Sequence, residues 1–270
     1  MTANPAFTVL IATYAGDDPD HLRQALDSIF RNSLQPEEVL LVIDGPLPAT
    51  NWDTVRSFCA HAHLRLLVEE TNRGLCPALN RGLREAKTDW IVRADADDIN
   101  APDRFWVLLR GMTDEFDLVG SAVSEIDSEG RLVARRAPPL SGSEIRRFMR
   151  RRNPFNHMSV IFRRALALTC GGYPDVYLRE DYGLWAKMAQ AGARMRNIPD
   201  NLVTARAGTD LYVRRSGWKY AVGEIHLQRL LVKAGIKSVP EAVWDGSVRM
   251  LVFLAPLPIR RHIYESYLRD

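Results

Sequence analysis

Cysteine is scarce in this chain. Its 270 residues hold three, Cys59, Cys76 and Cys170, far apart and without a C-x-x-C pair, so neither a disulfide framework nor a thiolate zinc cluster is encoded. Thiols this sparse are expected to stay reduced, in a cytoplasm. Long apolar runs are also missing: the late stretch Met250–Ile259 is broken by Pro256 and Pro258 and reaches about half a bilayer span. A basic leader is absent from the N-terminal MTANPAFTVLIATY, which is expected to enter a first strand rather than act as a signal peptide. Excess charge of one sign is lacking too. Thirty-six Lys and Arg oppose 33 Asp and Glu, a balance that selects no nucleic-acid partner. Repeats and low-complexity tracts are absent, and 46% hydrophobic with 26% charged residues excludes a disordered or fibrous chain. What remains is a folded body long enough to bury roughly three quarters of its unfolded surface.

Phe7–Thr13 is a continuous apolar run, and Leu22, Ala25, Leu26, Ile29 and Phe30 follow at helical spacing behind Asp17, Asp18 and Pro19. Val39–Ile43, Leu64–Val68 and Trp90–Ala94 are further buried strands, with a helix over Pro77–Ala86 between the last two. Repeated βα units predict an α/β fold with a largely parallel, doubly wound sheet. Beyond residue 115, Asp117–Ile126 and Arg131–Arg136 flank a Ser-Glu-Gly turn, an antiparallel hairpin that makes the sheet mixed. A basic helix over Ser143–Arg152, a strand over Met158–Phe162, a helical turn Leu166–Cys170 stopped by Gly171-Gly172 and a helix over Asp181–Ala191 are expected next. From about Val213 the chain reads as helical, broken near Pro240 and Pro256 to Pro258. A boundary near Arg206 separates an α/β domain, 1–206, with halves of about 1–115 and 116–206, from a helical C-terminal extension, 207–270.

In open parallel sheets ligands bind beyond the carboxyl ends of the strands. Those positions hold Thr13-Tyr14, Asp44-Gly45, Glu69 to Gly74, and Asp95-Ala-Asp97-Asp98. Any one carboxylate there is as readily a helix cap or turn former, and it is their number that points to a site. Asp95, Asp97 and Asp98 repel one another unless a cation neutralises them. Mg²⁺ or Mn²⁺ with phosphate oxygens suits such a cluster, and an acidic turn capping a helix near Pro102 is the competing reading. A D-x-D after a strand also fits a metal-dependent phosphatase of haloacid-dehalogenase type, but its nucleophile would follow the first strand. A dinucleotide-binding dehydrogenase would carry G-x-G-x-x-G after strand one, where Thr13-Tyr14-Ala-Gly-Asp-Asp stands.

Five motifs occur in order: Thr13-Tyr14 after the first strand; Leu-Val-Ile-Asp44-Gly45; Asn72-Arg73-Gly74-Leu75 before a helix containing Asn80; Arg93-Ala-Asp95-Ala-Asp97-Asp98; and Gly171-Gly172-Tyr173 with Arg179-Glu180-Asp181 through Trp185. Together they closely resemble the family 2 glycosyltransferases of GT-A fold, over about Phe7 to Arg206. The resemblance implies that Asp44 binds the base of a nucleoside-diphosphate sugar with Thr13 and Tyr14 packed near it, and that Arg73 meets the base or diphosphate. It assigns the ribose to Asp95 and a divalent metal, Mn or Mg, to Asp97. Asp181, the second acid of the Glu180-Asp181 pair, would deprotonate the acceptor hydroxyl, and inversion needs that base opposite the leaving diphosphate. His157 resembles a histidine near the acceptor or diphosphate in some members, although a histidine before a strand is as often structural. Arg206 stands near where members carry a metal-ligating histidine, and would meet the diphosphate instead. The likeness runs on through Tyr212 to Tyr220 toward bacterial capsule and exopolysaccharide members, implying a UDP-hexose donor and a glycan or lipid-linked acceptor. A non-catalytic nucleotide-sugar-binding protein is the further alternative.

Between Arg131 and Arg164 ten arginines face one acid, Glu144. With Ile145, Phe148 and Met149 at helical spacing, Glu144–Arg152 forms a basic amphipathic helix. Trp244, Leu251, Val252, Phe253 and Leu254, followed by Arg260 and Arg261, repeat the combination. Both fit peripheral contact with an anionic membrane, on its inner face; a solvated charged face and a core-packing helix pair account for the same residues.

Overall fold

The computed structural model describes residues 5–112, 115–206 and 217–255. Strands β1 (Phe7–Thr13), β2 (Glu38–Ile43), β3 (Leu64–Val68) and β4 (Trp90–Arg93) lie parallel in the order β3-β2-β1-β4. Helices α1 (Pro19–Phe30), α2 (Ala49–Phe58) and α3 (Leu75–Glu85) connect them. Successive strand residues point to opposite faces. Leu10, Leu40, Val42 and Ile91 therefore join one apolar cluster, while Val9, Ile11, Val39, Leu41, Ile43 and Val92 join another. Burial on both faces is why β1 and β2 are apolar runs in the sequence; β3, expected to be buried, is instead an edge strand, half-exposed along most of its length, with Val68 on the outside. The Asp18 carboxylate caps α1, accepting the Asp20 and His21 amides at 2.9 and 3.1 Å, with proline at the first helical position. Helix α2 has no side-chain cap and an apolar face of little more than Val55 and Phe58, so it leaves little trace in the sequence.

The second half is mixed, as the hairpin requires. After β4 come β5 (Ile99–Asn100), α4 (Arg104–Gly111), the hairpin of β6 (Leu118–Ile126) and β7 (Leu132–Arg136), α5 (Gly142–Met149), a 3₁₀ turn at His157–Ser159, β8 (Ile161–Arg163), α6 (Arg164–Thr169), α7 (Glu180–Gln190) and β9 (Met195–Arg206). Among the described residues the strands form one sheet in the order β3-β2-β1-β4-β8-β6-β9-β5, with β7 paired to β6. The strand expected over Met158–Phe162 is instead a turn followed by a shorter strand. The Ser159 amide bonds back to the Asn156 carbonyl at 2.9 Å, and extended pairing begins only at Ile161. Strand β9 contains Pro199 and Asp200, residues that normally mark loops. It is accommodated by register shifts against β6 between Ser121 and Val123.

Helices α8 (Gly217–Lys233) and α9 (Val239–Leu254) complete the described chain. Leu227 and Leu231 of α8 enter the same cluster as Leu184 and Trp185 of α7, and a Ser238–Glu241 capping box opens α9. Three of the apolar residues read as possible membrane contacts are turned inward. Phe253 is 3% exposed and packs edge-on against Tyr220 at 4.6 Å, and Ile145 and Met149 of α5 are fully buried, leaving Phe148 on the outside. Residues 212–216 of the Tyr212–Tyr220 motif, together with Arg260 and Arg261, lie outside the described residues.

Besides the β4–β8 pairing, a side-chain contact joins the two halves. The Asn80 side chain pairs with the Tyr173 backbone in both directions, donating to its carbonyl and accepting from its amide, each at 2.8 Å. Gly172 makes this possible: its φ is +68° and a Cβ there would stand 2.2 Å from Asn80 Oδ1. Gly172→Ala should therefore cost roughly 2–4 kcal/mol, combining backbone strain with a displaced hydrogen-bond pair. Gly130→Ala, at φ +77° with nothing within 4 Å of its Cβ, should cost only about 1 kcal/mol. Urea unfolding of both variants checks this; equal losses would mean that the Asn80 contact contributes nothing.

Candidate active site

The end of β4 delivers the acidic turn. Oxygens of Asp95, Asp97 and Asp98 lie within 4.8 Å of one another, with Asp95 half-buried, Asp97 exposed and Asp98 buried. Burial, and then the charges of Asp95 and Asp97, holds the Asp98 carboxyl well above the usual carboxylate range; Asp97, exposed as a residue, is raised by the loss of water around its carboxyl within the crowded turn and then by the Asp95 charge. One oxygen of Asp98 accepts the Arg206 amide at 3.2 Å, and the other is buried without a hydrogen-bond partner. Three hard oxygen donors in mutual repulsion, one of them unsatisfied, fit a divalent cation.

Two buried guanidiniums underlie this turn. Arg93, 1% exposed, donates to the Ala94 carbonyl and to Asp95. Arg104 is fully buried and donates to the Arg93 carbonyl at 2.6 Å and to Asn100; burial pushes it down to about 9. Arg93 had a signal in the sequence, a charge inside an otherwise apolar strand run, which calls for a partner. Arg104 had none, because its partners come from β4 and β5.

The ends of β1 and β2 supply the donor side. Asp17, expected only as part of a helix start, instead accepts the Thr13 hydroxyl at 2.9 Å and the Tyr14 amide at 3.1 Å. Burial and then the nearby charge of Asp95 raise it, so a fourth carboxylate faces the acidic turn. Tyr14 is 48% exposed beside it. Asp44 is buried, and its two oxygens accept the Arg73 and Gly74 amides, each at 2.8 Å. Asp44 thus pins the loop that presents the exposed Arg73 side chain. Gly45, at φ +88°, lets that loop approach, since a Cβ would stand 2.5 Å from the Asn72 amide.

Helix α7 supplies the opposite side. Its N-cap is Arg179, which makes no side-chain cap bond, so Asp181 is not a cap; it lies in the first helical turn. Its carboxylate accepts the Tyr182 amide and the Asn153 side-chain amide, both at 2.6 Å. Asn153 is a residue sequence reasoning gave no role. Glu180 is pushed up to about 7 by burial and then by the Asp181 charge; Arg93 and Asp95 also act on it. The two acidic groups therefore share one electrostatic environment. Leu178, just before the helix, has φ +55°, the left-handed region that branched side chains rarely occupy. Arg179 itself is buried, ion-pairs with the fully buried Glu224 of α8, and lies 4.5 Å from the Tyr220 ring and 5.3 Å from that of Phe253.

Two further expected residues are engaged with protein. His157 Nε2 lies 3.0 Å from the Tyr173 hydroxyl, its ring 6.2 Å from that of Trp185. Burial, then the Arg93 charge, holds it well below the ordinary imidazole range, so it is a neutral partner in an aromatic cluster. Arg206 donates to the Asp97 carbonyl at 2.9 Å and to Gln24 at 2.7 Å, fastening β9 to the acidic turn.

Known proteins resemble this chain in sequence and fold. Residues 8–169 match the family described as Glycosyl transferase family 2. The chain is 34% identical to the amylovoran biosynthesis glycosyltransferase AmsE of Erwinia amylovora, over 96% of this chain and 98% of that protein. It is 34% identical to a UDP-Gal:alpha-D-GlcNAc-diphosphoundecaprenol beta-1,3-galactosyltransferase of Escherichia coli, over 98% of this chain and 97% of that one. Among solved structures, the mannosyltransferase PcManGT of Pyrobaculum calidifontis, in complex with GDP-Man and Mn²⁺, superposes with a TM-score of 0.63 at 19% identity, covering 99% of this chain and 81% of that one. With this fold, this order of carboxylates and relatives matched along nearly their whole length, the chain belongs to glycosyl transferase family 2 and is a glycosyltransferase of GT-A fold, similar to enzymes of bacterial polysaccharide assembly.

Proposed function

We propose that the chain moves a hexose from a uridine-diphosphate sugar to a hydroxyl of a growing glycan carried on a lipid pyrophosphate, with inversion, in the cytoplasm and against the inner face of the membrane. The observation that carries this reading is one site with two acidic groups: the turn Asp95 to Asp98, with oxygens within 4.8 Å, and Glu180-Asp181 on α7, with Arg93 acting on both. The donor and acceptor classes are supported by the 34% identical galactosyltransferase, whose name states both. Domain 1–206 would carry the chemistry, and α8 and α9 of the extension 207–270 would buttress the acceptor side.

In this reading Asp44, besides pinning the Arg73 loop, binds the base, Thr13 and Tyr14 line the same end of the sheet, and Arg73 supplies a guanidinium fork for base or diphosphate. Asp95 takes the ribose. Asp97, with Asp98 beside it, would hold Mn²⁺ or Mg²⁺, which when bound would supply charge neutralisation to the departing diphosphate. Arg206 and His157 border the site while keeping their protein partners. Asp181 accepts the proton of the acceptor hydroxyl as that oxygen attacks the anomeric carbon, and Asn153 fixes the direction of its carboxylate. Glu180, one residue earlier, keeps the pair at less than two full charges near neutrality.

Asp181→Asn keeps shape but removes basicity. With UDP-galactose and a GlcNAc-diphospholipid, kcat should fall at least ~10²-fold while UDP affinity is unchanged. Near-wild-type turnover, or parallel loss of UDP binding, would remove Asp181 from the role.

Asp97→Asn, on an exposed turn, should leave the thermal unfolding midpoint unchanged and abolish the stabilisation that Mn²⁺ adds to UDP binding. Full activity in EDTA would sink the metal assignment.

Glu180 gives a pH signature. Its folded value, about 7, lies above the ordinary 4.5, so the folded state binds the extra proton in that window and stability falls as pH rises through it. Glu180→Gln should flatten this fall. Parallel pH profiles of the two unfolding midpoints would show that Glu180 is not raised.

A further inference from the structure

Helix α9 is turned inside out. Its outward face carries Val239, Val243, Trp244, Val248, Leu251 and Leu254, with exposures between 44% and 73%. Its charged residues are held by the body of the protein: Glu241 pairs with Arg150, Asp245 accepts Lys237 Nζ at 2.6 Å, and Arg249 reaches Glu224 at 3.7 Å. A helix between core and water distributes these groups the other way. Single apolar side chains on a surface need no explanation, but six on one face of one helix form a patch of the kind that marks a contact with a membrane or another protein.

The neighbours of the patch choose between these. Helix α5 abuts α9 through Arg150–Glu241 and through Arg249, which donates to the Arg151 carbonyl. Arg146, Arg147, Arg150 and Arg151 are exposed on this basic segment, along with Phe148. Trp218, 68% exposed, begins α8, whose Tyr220 packs on Phe253 near the end of α9. Tryptophans beside aliphatic side chains, flanked by guanidiniums, match the layering of an anionic bilayer surface, with acyl chains below and phosphates at the level of the cations. At 16 residues α9 is too short to span, and no helix among the described residues is long and apolar enough to cross a membrane, so α9 would lie in the interface plane. We infer that the outward face of α9, flanked by the arginines of α5, seats this protein on an anionic lipid bilayer. The inference deepens the lipid-linked acceptor reading and rests on it for its purpose. Arg179, joined to Glu224 in front of Glu180 and Asp181, tethers the seated helices to the acceptor side of the site.

Flotation of the full chain with phosphatidylcholine vesicles, with and without phosphatidylglycerol, tests this in the absence of donor and acceptor. Capture should need the acidic lipid and weaken with salt, since exposed charges are screened within about 10 Å at 0.1 M. The double variant W244E/L251E should bind at least ~10-fold more weakly, and R146Q/R147Q should lose much of the salt-sensitive part. W244E/L251E should keep the wild-type circular dichroism and the wild-type thermal stabilisation by UDP, which excludes unfolding as the cause. Failure of UDP to stabilise either protein would count against the transferase reading while leaving the vesicle result to stand alone. Absence of capture by both vesicle types, or capture that survives W244E/L251E, overturns the inference. So does a dimer in sedimentation that the same pair of substitutions abolishes without any lipid binding, which would make the face an interface between copies.

Discussion

The site depends on a buried guanidinium. Arg93 is 1% exposed, donates to Asp95 and to the Ala94 carbonyl, and its charge acts on Asp17, Asp97, Asp98, Glu180, His157 and Tyr173. Burying such an ion costs several kcal/mol, which is recovered only when opposite charges and hydrogen bonds surround it. Here the surroundings are carboxylates that would otherwise repel one another. The carboxylates outnumber Arg93, and loss of water followed by the charges of their neighbours holds Asp97 and Asp98 above the usual carboxylate range. Surplus negative charge of this kind fits a divalent cation.

A second constraint lies outside the matched family span, which ends at residue 169. The first turn of α7 is anchored by Arg179 on Glu224, and Glu224 is further held by Gln228 at 2.6 Å and Arg249 at 3.7 Å. Helices α8 and α9 are therefore part of what positions Glu180 and Asp181. This network also explains why α9 shows charge to the protein and apolar side chains to the outside. Its Glu241, Asp245 and Arg249 are used up in fastening the helix, so the opposite face is left apolar.

Much of this was legible in the chain itself. Strands buried on both faces are written as apolar runs, and these runs alone place Thr13, Asp44 and Asp95 to Asp98 at their carboxyl ends, where they stand in the fold. Gly171-Gly172 marked a helix stop, and the acid pair marked a helix start. Local patterns and short spacings fixed these because the interactions that create them are local.

What only the tertiary structure decided are the partners. Asn153 reaches Asp181 from another segment, Arg206 meets Asp98 from β9, and Arg179 finds Glu224 on the last helix pair. None of these pairings has a periodicity or a motif, since each is set by strand order and register rather than by sequence distance. The same holds for β9, whose Pro199 reads as a loop until the shifted register with β6 absorbs it, and for Phe253, which the sequence left between a membrane contact and a packed helix pair and which the Tyr220 ring draws inside. The sequence by itself determined which residues stand at the strand ends and with what chemistry. Folding determined which of them face one another, because burial and electrostatic balance are properties of the assembled site and not of any segment.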